Sequence, residues 1–528
     1  MTVFQKNAAI GLFLLSLFYH LLILLNSQIT FFSDDAIYAT IAQYAISGHW
    51  DRVIHPFWPP FYPLLSGVAY YFLGNWENSL RIISVASAIF SIIPIVYLAA
   101  KTMSFWHGYL LGIFLSVSSP LLGLSLLPLS DPLAALFITW ALVLIFFAFA
   151  NQRPILFVTA SASLGLAYLT RSEGMMFFIL SLAGLLIVSA WQFFSKQQAW
   201  RLISLNVLGL TIPFLLIIAP YVLAVSHQMQ QLSFSAKLSA QVQMGHAFQI
   251  RDNGRVWAQE IWSVEPNYSS EYFHGGQDFL LENIDYFWWW AGQKISSLVV
   301  LLNQYFSPAF GVMVALAILT TLTLRCFVIS HLVLLLTLFS AAATTAFFTP
   351  IIEARYLLWL FPFVSFYIVL GIHNLSAMLT GRNSPKIGIV LSAIILALLP
   401  VMDWHNILNP ISQVAAKVEK ERYHPEISDA AWWIRQQSFA NTPIVMMRHE
   451  NVAYYSGSKL VYLPQVDLEQ AVNYAKRHHV NFIIAWNAEI EGDPKLSVLL
   501  DPQQVEGSLK LEKSWDYPTG KVRIYSIN

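Results

Sequence analysis

Long apolar stretches constrain the fold of this chain more than any other feature. The sequence contains about eleven stretches of roughly 20 mainly apolar residues, the length that an α-helix needs to cross the hydrocarbon core of a bilayer. Only 11% of the 528 residues are charged, whereas a soluble domain carries roughly 25%. The sequence therefore predicts a polytopic α-helical membrane protein. The apolar stretches begin near Ala8, Leu80, Gly108, Pro132, Pro154, Gly174, Leu202, Pro308, Val328, Tyr356 and Ile387.

The distribution of lysine and arginine predicts the orientation. Cytoplasmic loops carry an excess of these two residues. With the N-terminus in the cytoplasm, the inner segments contain no acidic residue and hold Lys6, Lys101, Arg153, Lys196, Arg201, Arg325, Arg382 and Lys386. An odd number of spans then places the C-terminus outside. No small-x-small cleavage site follows the first stretch, so we expect it to be an uncleaved anchor.

Two domains are predicted from a change in the residue pattern along the chain. Residues 1–403 contain the spans, with long outer loops at about 26–79 and 226–294. In residues 404–528, "TPIVMMR", "KLVYL", "VNFIIAW", "SLKLEKSW" and "KVRIYSI" are typical of strands, and "DAAWWIRQQ" and "LEQAVNYAKRH" have helical spacing. This tail is predicted to be a small soluble α/β domain on the outer face.

Composition and motifs exclude several kinds of site. The formal net charge is zero, which gives no indication of a nucleic-acid partner. The single cysteine, Cys326, excludes an intramolecular disulfide and a multi-cysteine metal site. The sequence also lacks a Walker loop, a GxGxxG motif after a strand, an HExxH motif and a GxSxG motif. We therefore expect no nucleotide site.

An acidic pair follows the first span in "FFSDDAIYAT", where Asp34 and Asp35 are adjacent. Ser33 or Asp34 is suited to cap the helix that follows, but capping explains one carboxylate better than two. The alternative is a general base at the membrane surface, with the second acid orienting the acceptor or binding a cation.

Aromatic residues crowd the same loop in "HPFWPPFYPLL", which contains His55 and Tyr62. Such residues are typical of the interfacial belt of a membrane protein. The alternative is a surface that holds a sugar or a prenyl chain. His55 alone is weak evidence for either role.

Further charged residues stand at predicted outer span ends. Asp131 precedes Pro132, a typical helix start, or is a second acid facing the same cavity as Asp34. Arginines lie in "ENSLRIIS", "LTRSEG" and "IIEARY" as Arg81, Arg171 and Arg355, with Glu173 and Glu353 beside the last two. They are either simple ion pairs or a site for a lipid phosphate, because the guanidinium fork suits phosphate oxygens.

The order of these motifs resembles the GT-C superfamily of polyprenyl-phosphate-sugar-dependent glycosyltransferases. More narrowly it resembles glycosyltransferase family 39, which includes the protein O-mannosyltransferases and the lipid A aminoarabinose transferases. The similarity is carried by "SDDAIYATIAQ", by "LRIISVASA" and by the tail segment "AAWWIRQQ…VMMRHENVAYYSGSKLVYLP", which is similar to the C-terminal domain of bacterial members. The chain departs from the family pattern at Asp35, where many relatives have Glu, and at Ile82 and Ile83, which replace Leu-Pro.

The resemblance implies an inverting glycosyltransferase of the bacterial inner membrane, working on its periplasmic face. It implies catalytic roles for Asp34 as the base, Asp35 and Asp131, and donor-phosphate binding by Arg81, Arg171 and Arg355. Further candidates for substrate binding are His55, Tyr62, Glu173 and Glu353. No metal-ligand set is visible, and because metal dependence varies across the superfamily, a divalent metal stays open as a cofactor.

The expected partners are a polyprenyl-phosphate-linked sugar donor, membrane lipids and a glycan, lipid or protein acceptor. The middle-loop domain of protein O-mannosyltransferases is not recognisable, which leaves lipid and polysaccharide acceptors open. Two other classes remain as alternatives. A transporter or lipid-sugar flippase would place polar residues near the membrane midplane in repeated halves. A non-catalytic assembly protein would explain the tail but not the outer arginines.

Overall fold

The computed structural model describes residues 3–527 except 196–199, 250–256, 262, 264–266, 276–278, 280–281, 306–327, 349–352, 381–387, 395–417 and 421. Within the described residues, seven helices are long and apolar enough to cross a membrane. Their apolar segments are Asn7–Leu25, Trp76–Thr102, Asp131–Asn151, Gly174–Phe194, Trp200–Gln228, Val328–Thr345 and Leu360–Ala377.

Helices dominate the part of the chain that precedes the tail. In chain order they are α1 Val3–Leu25, α2 Asp34–Ile46, α3 Phe61–Leu73, α4 Trp76–Thr102, α5 Phe105–Val117, α6 Ser119–Ser125, α7 Asp131–Asn151, α8 Pro154–Thr170, α9 Gly174–Phe194, α10 Trp200–Gln228, α11 Lys237–Gln249, α12 Trp257–Ile261, α13 Ile284–Tyr305, α14 Val328–Phe348 and α15 Leu360–Thr380. Short 3-10 helices cover Trp50–Arg52, Glu271–Phe273 and Ala354–Leu357.

Most predicted spans have a counterpart among these helices. The spans predicted near Gly108 and Pro154 correspond to the shorter apolar helices α5 and α8. The span predicted to begin at Pro308, and most of the one from Ile387, lie outside the described residues. The helix α3 is apolar as well but falls in the predicted first outer loop.

Close packing within the membrane domain depends on small residues. The helix α8 packs against both α7 and α10, and α4 packs against α5 and α7. The hydroxyl of Ser161 on α8 donates to the Leu210 carbonyl at 2.5 Å and accepts from the Phe214 amide at 2.8 Å, linking it to the backbone of α10. A Cβ at Gly174 would lie 2.3 Å from the Tyr168 backbone nitrogen. Glycine therefore permits the tight turn from α8 to α9.

The tail forms a five-stranded sheet with helices on both faces. The strands are β1 Ile444–Met447, β2 Lys459–Tyr462, β3 Phe482–Trp486, β4 Leu509–Asp516 and β5 Lys521–Ile527, in the order β2-β1-β3-β5-β4. The first three are parallel, and β5 is antiparallel to β3 and β4. The tail helices are α16 Pro425–Gln436, α17 Asn451–Ser456, α18 Leu468–Arg477 and α19 Asn487–Ile490.

Alternation along β1 explains the two-layered core of the tail. Met446 packs into one apolar cluster with α18 residues, whereas Val445 and Met447 pack into another with α16 residues on the opposite face. This follows from the two-residue period of a strand. The predicted fold class, a polytopic helical membrane protein with a C-terminal soluble α/β domain, is confirmed.

The soluble domain contacts the first outer loop through aromatic residues. The Tyr455 hydroxyl accepts from the Phe31 amide at 2.9 Å and donates to Glu77 at 2.7 Å. Gln43 donates to the Tyr454 hydroxyl at 3.0 Å. The Phe32 ring lies 4.9 Å from the ring of His449. The acidic pair on α2 therefore starts directly beneath the soluble domain.

Candidate active site

A cavity of about 720 Å³ lies where the membrane domain meets the soluble domain. Both domains contribute charged side chains to its wall. The residues that line it are Phe32, Ser33, Asp34, Asp35, Ile37, Tyr38, Phe57, Trp58, Pro59, Leu124, Leu127, Leu129, Thr170, Arg171, Lys237, Gln241, Met244, Glu353, Arg355, Tyr356, Arg422, His449, Glu450 and Tyr462.

The two acids of the pair have different surroundings. Asp34 is the first residue of α2, its side chain is 28% exposed, and its Oδ2 lies 3.4 Å from a guanidinium nitrogen of Arg355. Asp34 therefore presents an accessible carboxylate oxygen on the cavity wall, which is the position that a general base requires.

Asp35 instead organises the backbone at the start of α2. Its Oδ1 accepts hydrogen bonds from the amides of Phe32, Ser33 and Ala36, at 2.7 to 3.1 Å. Its Oδ2 lies 3.7 Å from Arg422 of the tail. Burial raises the pKa of Asp35, while Arg422 and the backbone amides oppose that rise. The capping expected of Ser33 or Asp34 is wrong in detail: Ser33 makes no side-chain cap bond, and Asp35 satisfies the amides.

Arg171 is held between two acids. Its Nη1 lies 2.8 Å from Asp131, and its Nη2 lies 2.9 Å from Glu173. Lys237 at the start of α11 also contacts Glu173, at 2.8 Å. Burial alone would raise the pKa of Glu173, but Arg171 and Lys237 outweigh it and lower that pKa. The proximity of Arg171 and Glu173 is visible in the sequence, whereas the contact between Glu173 and Lys237 is not. This contact links the site to the predicted outer loop at about 226–294.

Arg355 contributes a second guanidinium group to the cavity. Its Nε lies 2.7 Å from Glu353. The guanidinium carbons of Arg355 and Arg171 lie 5.1 and 5.3 Å from the centroid of the Tyr356 ring. Cation–π contacts of this kind attract both groups to the ring. Two arginines thus line one cavity and share one aromatic ring.

The tail supplies further residues that sequence reasoning missed. Arg422, His449, Glu450 and Tyr462 line the cavity. His449 and Glu450 follow β1 directly, and Tyr462 ends β2. Burial lowers the pKa of His449 to about 4, so its imidazole is neutral at neutral pH. The only available signal was that "RHEN" follows a predicted strand, since the carboxyl ends of parallel strands often bind ligands.

Five predicted residues are not among those that line the cavity. Asp131 and Glu173 contact Arg171, which does line it. The other three, Arg81, Tyr62 and His55, have separate contacts. Arg81 is buried and donates to the carbonyls of Ser27 at 2.8 Å and Leu126 at 2.9 Å, and to the Ser27 hydroxyl at 2.5 Å. Tyr62 is buried, and its hydroxyl donates to the Leu80 carbonyl at 2.9 Å. Their predicted roles in substrate binding remain predictions.

His55, the third of these residues, shapes the loop that does reach the cavity. Its Nδ1 accepts from the amides of Phe57 at 3.0 Å and Trp58 at 3.3 Å. Its Nε2 therefore carries the proton and donates to the Ser263 carbonyl at 3.2 Å. Burial lowers the pKa of His55 to about 4. His55 thus positions Phe57 and Trp58, which line the cavity.

Several acidic side chains in and around the cavity have cationic partners. Among the described residues, no group of three or more His, Cys, Asp or Glu side chains is placed to hold a metal ion. The cationic partners of Asp34, Asp131, Glu173 and Glu353 instead suit these carboxylates to orienting arginine and lysine.

Comparison with known proteins gives one sequence match and several similar structures. Residues 55–217 match the family model of dolichyl-phosphate-mannose-protein mannosyltransferases. No curated protein sequence matches the chain significantly.

The similar structures cover nearly the whole chain at low identity. The Archaeoglobus fulgidus oligosaccharyltransferase in its apo form has 13% identity and a TM-score of 0.62 and covers 100% of this chain and 75% of its own. ArnT from Cupriavidus metallidurans bound to undecaprenyl phosphate has 13% identity and a TM-score of 0.52, covering 98% of this chain and 97% of its own. The archaeal oligosaccharyltransferase AglB with an inhibitory peptide and a dolichol-phosphate has 13% identity and a TM-score of 0.57, covering 100% of this chain and 74% of its own.

The family match and the structural likeness cover different shares of the chain. The family model covers residues 55–217, whereas the structural likeness extends from α1 into the soluble sheet. The chain thus shares its fold with these GT-C proteins, and the predicted resemblance to the GT-C superfamily is confirmed at the level of the fold.

Proposed function

We propose that the protein is an inverting glycosyltransferase that moves a sugar from a polyprenyl-phosphate monosaccharide to an acceptor on the outer face of the membrane. One observation carries this proposal. The accessible carboxylate of Asp34 lines the same cavity as four cationic side chains, those of Arg171, Lys237, Arg355 and Arg422. A base and an anion-binding cluster are the two components that transfer from a phosphate-linked donor needs.

The reaction follows from this arrangement. Asp34 accepts the proton of the acceptor hydroxyl, and the acceptor oxygen forms a bond to the anomeric carbon. The bond from that carbon to the phosphate oxygen breaks, and its electron pair leaves with the polyprenyl phosphate. Because attack and departure occur on opposite faces, the anomeric configuration inverts. Arg171, Arg355 and Lys237 stabilise the negative charge that develops on the phosphate.

The cavity also has an apolar wall that suits a lipid. Leu124 on α6, with Leu127 and Leu129 after it, lines part of the cavity. Two proteins with the same fold were solved with undecaprenyl phosphate and with a dolichol-phosphate. A prenyl chain lying along the leucines would bring its phosphate to the arginines.

An outer-face location agrees with the distribution of charge. The cavity lies at the helix ends that include the C-terminus of α8 and the N-terminus of α9, whereas Lys101 and Arg153 lie at the opposite ends of α4 and α7. Since Lys and Arg favour the cytoplasmic side, the cavity and the soluble domain would lie outside, in a bacterial inner membrane on the periplasmic side. Activated donors there must already be attached to a lipid.

The direct test of this function is the lipid that the purified protein carries. Native mass spectrometry of protein extracted without added lipid should detect a bound polyprenyl phosphate or its monosaccharide. A transporter would instead move such a lipid without breaking the sugar–phosphate bond. Incubation with labelled polyprenyl-phosphate sugars therefore distinguishes the two classes: intact donor at the end of the reaction excludes a transferase.

Asp34→Asn should abolish transfer while leaving the fold unchanged. Removal of a general base typically lowers the rate about 10²- to 10⁴-fold, whereas undecaprenyl phosphate should still bind because the arginines and Lys237 remain. The measurement is label transferred from polyprenyl-phosphate sugars by protein in nanodiscs. Asp51→Asn in the same outer loop is the matched control, since its side chain is 78% exposed. Wild-type transfer by Asp34→Asn would show that another group is the base.

A further inference from the structure

The soluble sheet reverses its strand order next to β1. The chain runs from β1 to β2 on one side, and β3 then returns to the other side of β1. All three strands are parallel, so their carboxyl ends lie at one edge of the sheet. In open α/β sheets, ligands bind outside the carboxyl ends of the strands at such a reversal.

That edge forms a wall of the cavity. Tyr462 ends β2, and His449 and Glu450 come just after β1; all three line the cavity. Behind them Asn451 donates to Glu489, beyond the end of β3, at 3.4 Å. The edge of the soluble sheet at which a ligand is expected to bind therefore opens into the proposed catalytic cavity.

Several contacts hold this edge against the membrane domain. The hydroxyl of Tyr455 in α17 bridges Phe31 and Glu77. The Phe32 ring, next to Asp34 in the chain, packs on His449 at 4.9 Å. Glu450 is only 6% exposed. The position of Glu450 relative to Asp34 is therefore set by the docked domains.

The two walls of the cavity differ in chemistry. Arg171, Lys237 and Arg355 belong to the membrane domain, beside the apolar leucines. The edge of the soluble sheet offers a neutral imidazole, an aromatic ring and a carboxyl group. Arg422, which precedes the sheet in the chain and also lines the cavity, lies 3.7 Å from Asp35 of the membrane domain. Burial raises the pKa of Glu450 well above its usual range, and Asp34, Asp35 and Glu489 raise it further. A protonated carboxyl group carries no positive charge to attract a phosphate, but it can donate a hydrogen bond to a hydroxyl oxygen.

We propose that the carboxyl edge of the soluble sheet is the acceptor subsite, where Glu450 binds a hydroxyl group of a polyhydroxylated acceptor and the ring of Tyr462 packs against it. This inference rests on the proposed glycosyltransferase function. The prenyl-phosphate donor occupies the membrane wall and the acceptor occupies the soluble wall. The acceptor hydroxyl held at Glu450 faces Asp34 across the cavity.

Acceptor use and donor use can be measured separately in the full-length protein in nanodiscs. The donors are labelled polyprenyl-phosphate monosaccharides, and the acceptor is the envelope fraction of the producing cells at increasing amounts. Glu450→Ala should raise the envelope amount needed for half-maximal transfer by about tenfold, the value of one good hydrogen bond. Hydrolysis of the donor by water and binding of undecaprenyl phosphate should stay within about twofold of wild type, because neither uses this wall.

Glu450→Gln tests the chemistry of the group and serves as a variant that keeps its shape. Glutamine also donates a hydrogen bond, so its half-maximal envelope amount should stay within about threefold of wild type. Glu469→Ala, at an exposed acid of the same domain, is the matched control. Size-exclusion profiles and melting temperatures confirm that each variant is folded.

The outcomes separate this inference from the proposed function. An unchanged dependence on envelope amount in Glu450→Ala overturns the acceptor subsite. Equal losses in transfer, donor hydrolysis and undecaprenyl phosphate binding overturn it too, because they indicate a structural role only. Absence of both transfer and donor hydrolysis in the wild type would instead contradict the glycosyltransferase function.

Discussion

At the scale of single residues, the ion-pair partners of each charged side chain indicate its role. Asp131 and Glu173 hold Arg171 from two sides, whereas Asp34 meets Arg355 more loosely, at 3.4 Å. A closely paired arginine keeps one orientation, and a loosely paired carboxylate stays available to a substrate. The proposed site therefore combines a closely held cation with an accessible carboxylate.

Arg171→Lys should impair transfer even though it preserves the positive charge. A lysine ammonium cannot contact Asp131 and Glu173 through two separate nitrogens and still present a fork to phosphate. We expect transfer to fall about 10²-fold and undecaprenyl phosphate to bind about tenfold more weakly, roughly the loss of one to two charge-assisted hydrogen bonds. Arg435→Lys, at an exposed position of α16, should behave as wild type. Equal affinities in both variants would remove Arg171 from the phosphate site.

Glu450→Gln should change the dependence of stability on pH. The folded state keeps Glu450 protonated to a higher pH than the unfolded state does, because burial, Asp34, Asp35 and Glu489 all raise its pKa. Above the unfolded value, near about 4.3, only the unfolded state releases this proton, so the wild type loses stability as pH rises.

The measurement is the melting temperature of both proteins between pH 4 and pH 8. The two should melt alike at pH 4, and the variant should melt increasingly higher towards pH 8. A difference that stays constant over this range would mean that Glu450 ionises in the folded protein as it does in the unfolded chain.

At the scale of elements, α17 is one of the connections between the two domains. Tyr454 and Tyr455 on this helix contact Gln43 on α2, Phe31 before it and Glu77 on α4. The same helix follows directly after Glu450. A change in how α17 docks would therefore move one wall of the cavity relative to Asp34.

Tyr455→Phe should loosen this docking without unfolding the sheet. It removes two hydrogen bonds, at a cost of about 1–3 kcal/mol, and we expect about tenfold slower transfer with faster amide exchange in residues 449–456. Tyr517→Phe removes a hydroxyl that bonds to Asp429 within the soluble domain and is the matched control. Identical exchange in both variants would contradict a docking role for Tyr455.

The sequence predicted more of the cavity residues that belong to the membrane domain than of those that belong to the soluble domain. Asp34, Arg171 and Arg355 stand at predicted span ends, where hydropathy and charge alone place them on one face. Arg422, His449 and Glu450 could not be located in this way, because the orientation of the soluble domain depends on tertiary contacts such as that of Tyr455. For Arg81, the sequence predicted the position but not the contacts. The residue does stand at a span end, but the carbonyl oxygens that its guanidinium group contacts depend on the packing of α4.

At the scale of the whole molecule, the structure predicts that the soluble domain and the cavity share one side of the membrane. In a Cys326→Ser background, a cysteine at the exposed Glu506 should react with a membrane-impermeant thiol reagent in intact spheroplasts. A cysteine at the exposed Arg153 should react only after the membrane is permeabilised. Labelling of both, or the reverse pattern, would overturn the outer-face location.

The distance along the chain between the two walls has a consequence for synthesis. Phe31 and Tyr455, which join the domains, are 424 residues apart. During translation Asp34, Arg171 and Arg355 are made long before β1. In the proposed orientation, a nascent chain therefore holds Asp34 in an open, one-sided groove, and the enclosed cavity forms only after the soluble domain has crossed the membrane. Export of the soluble domain would thus complete the proposed site.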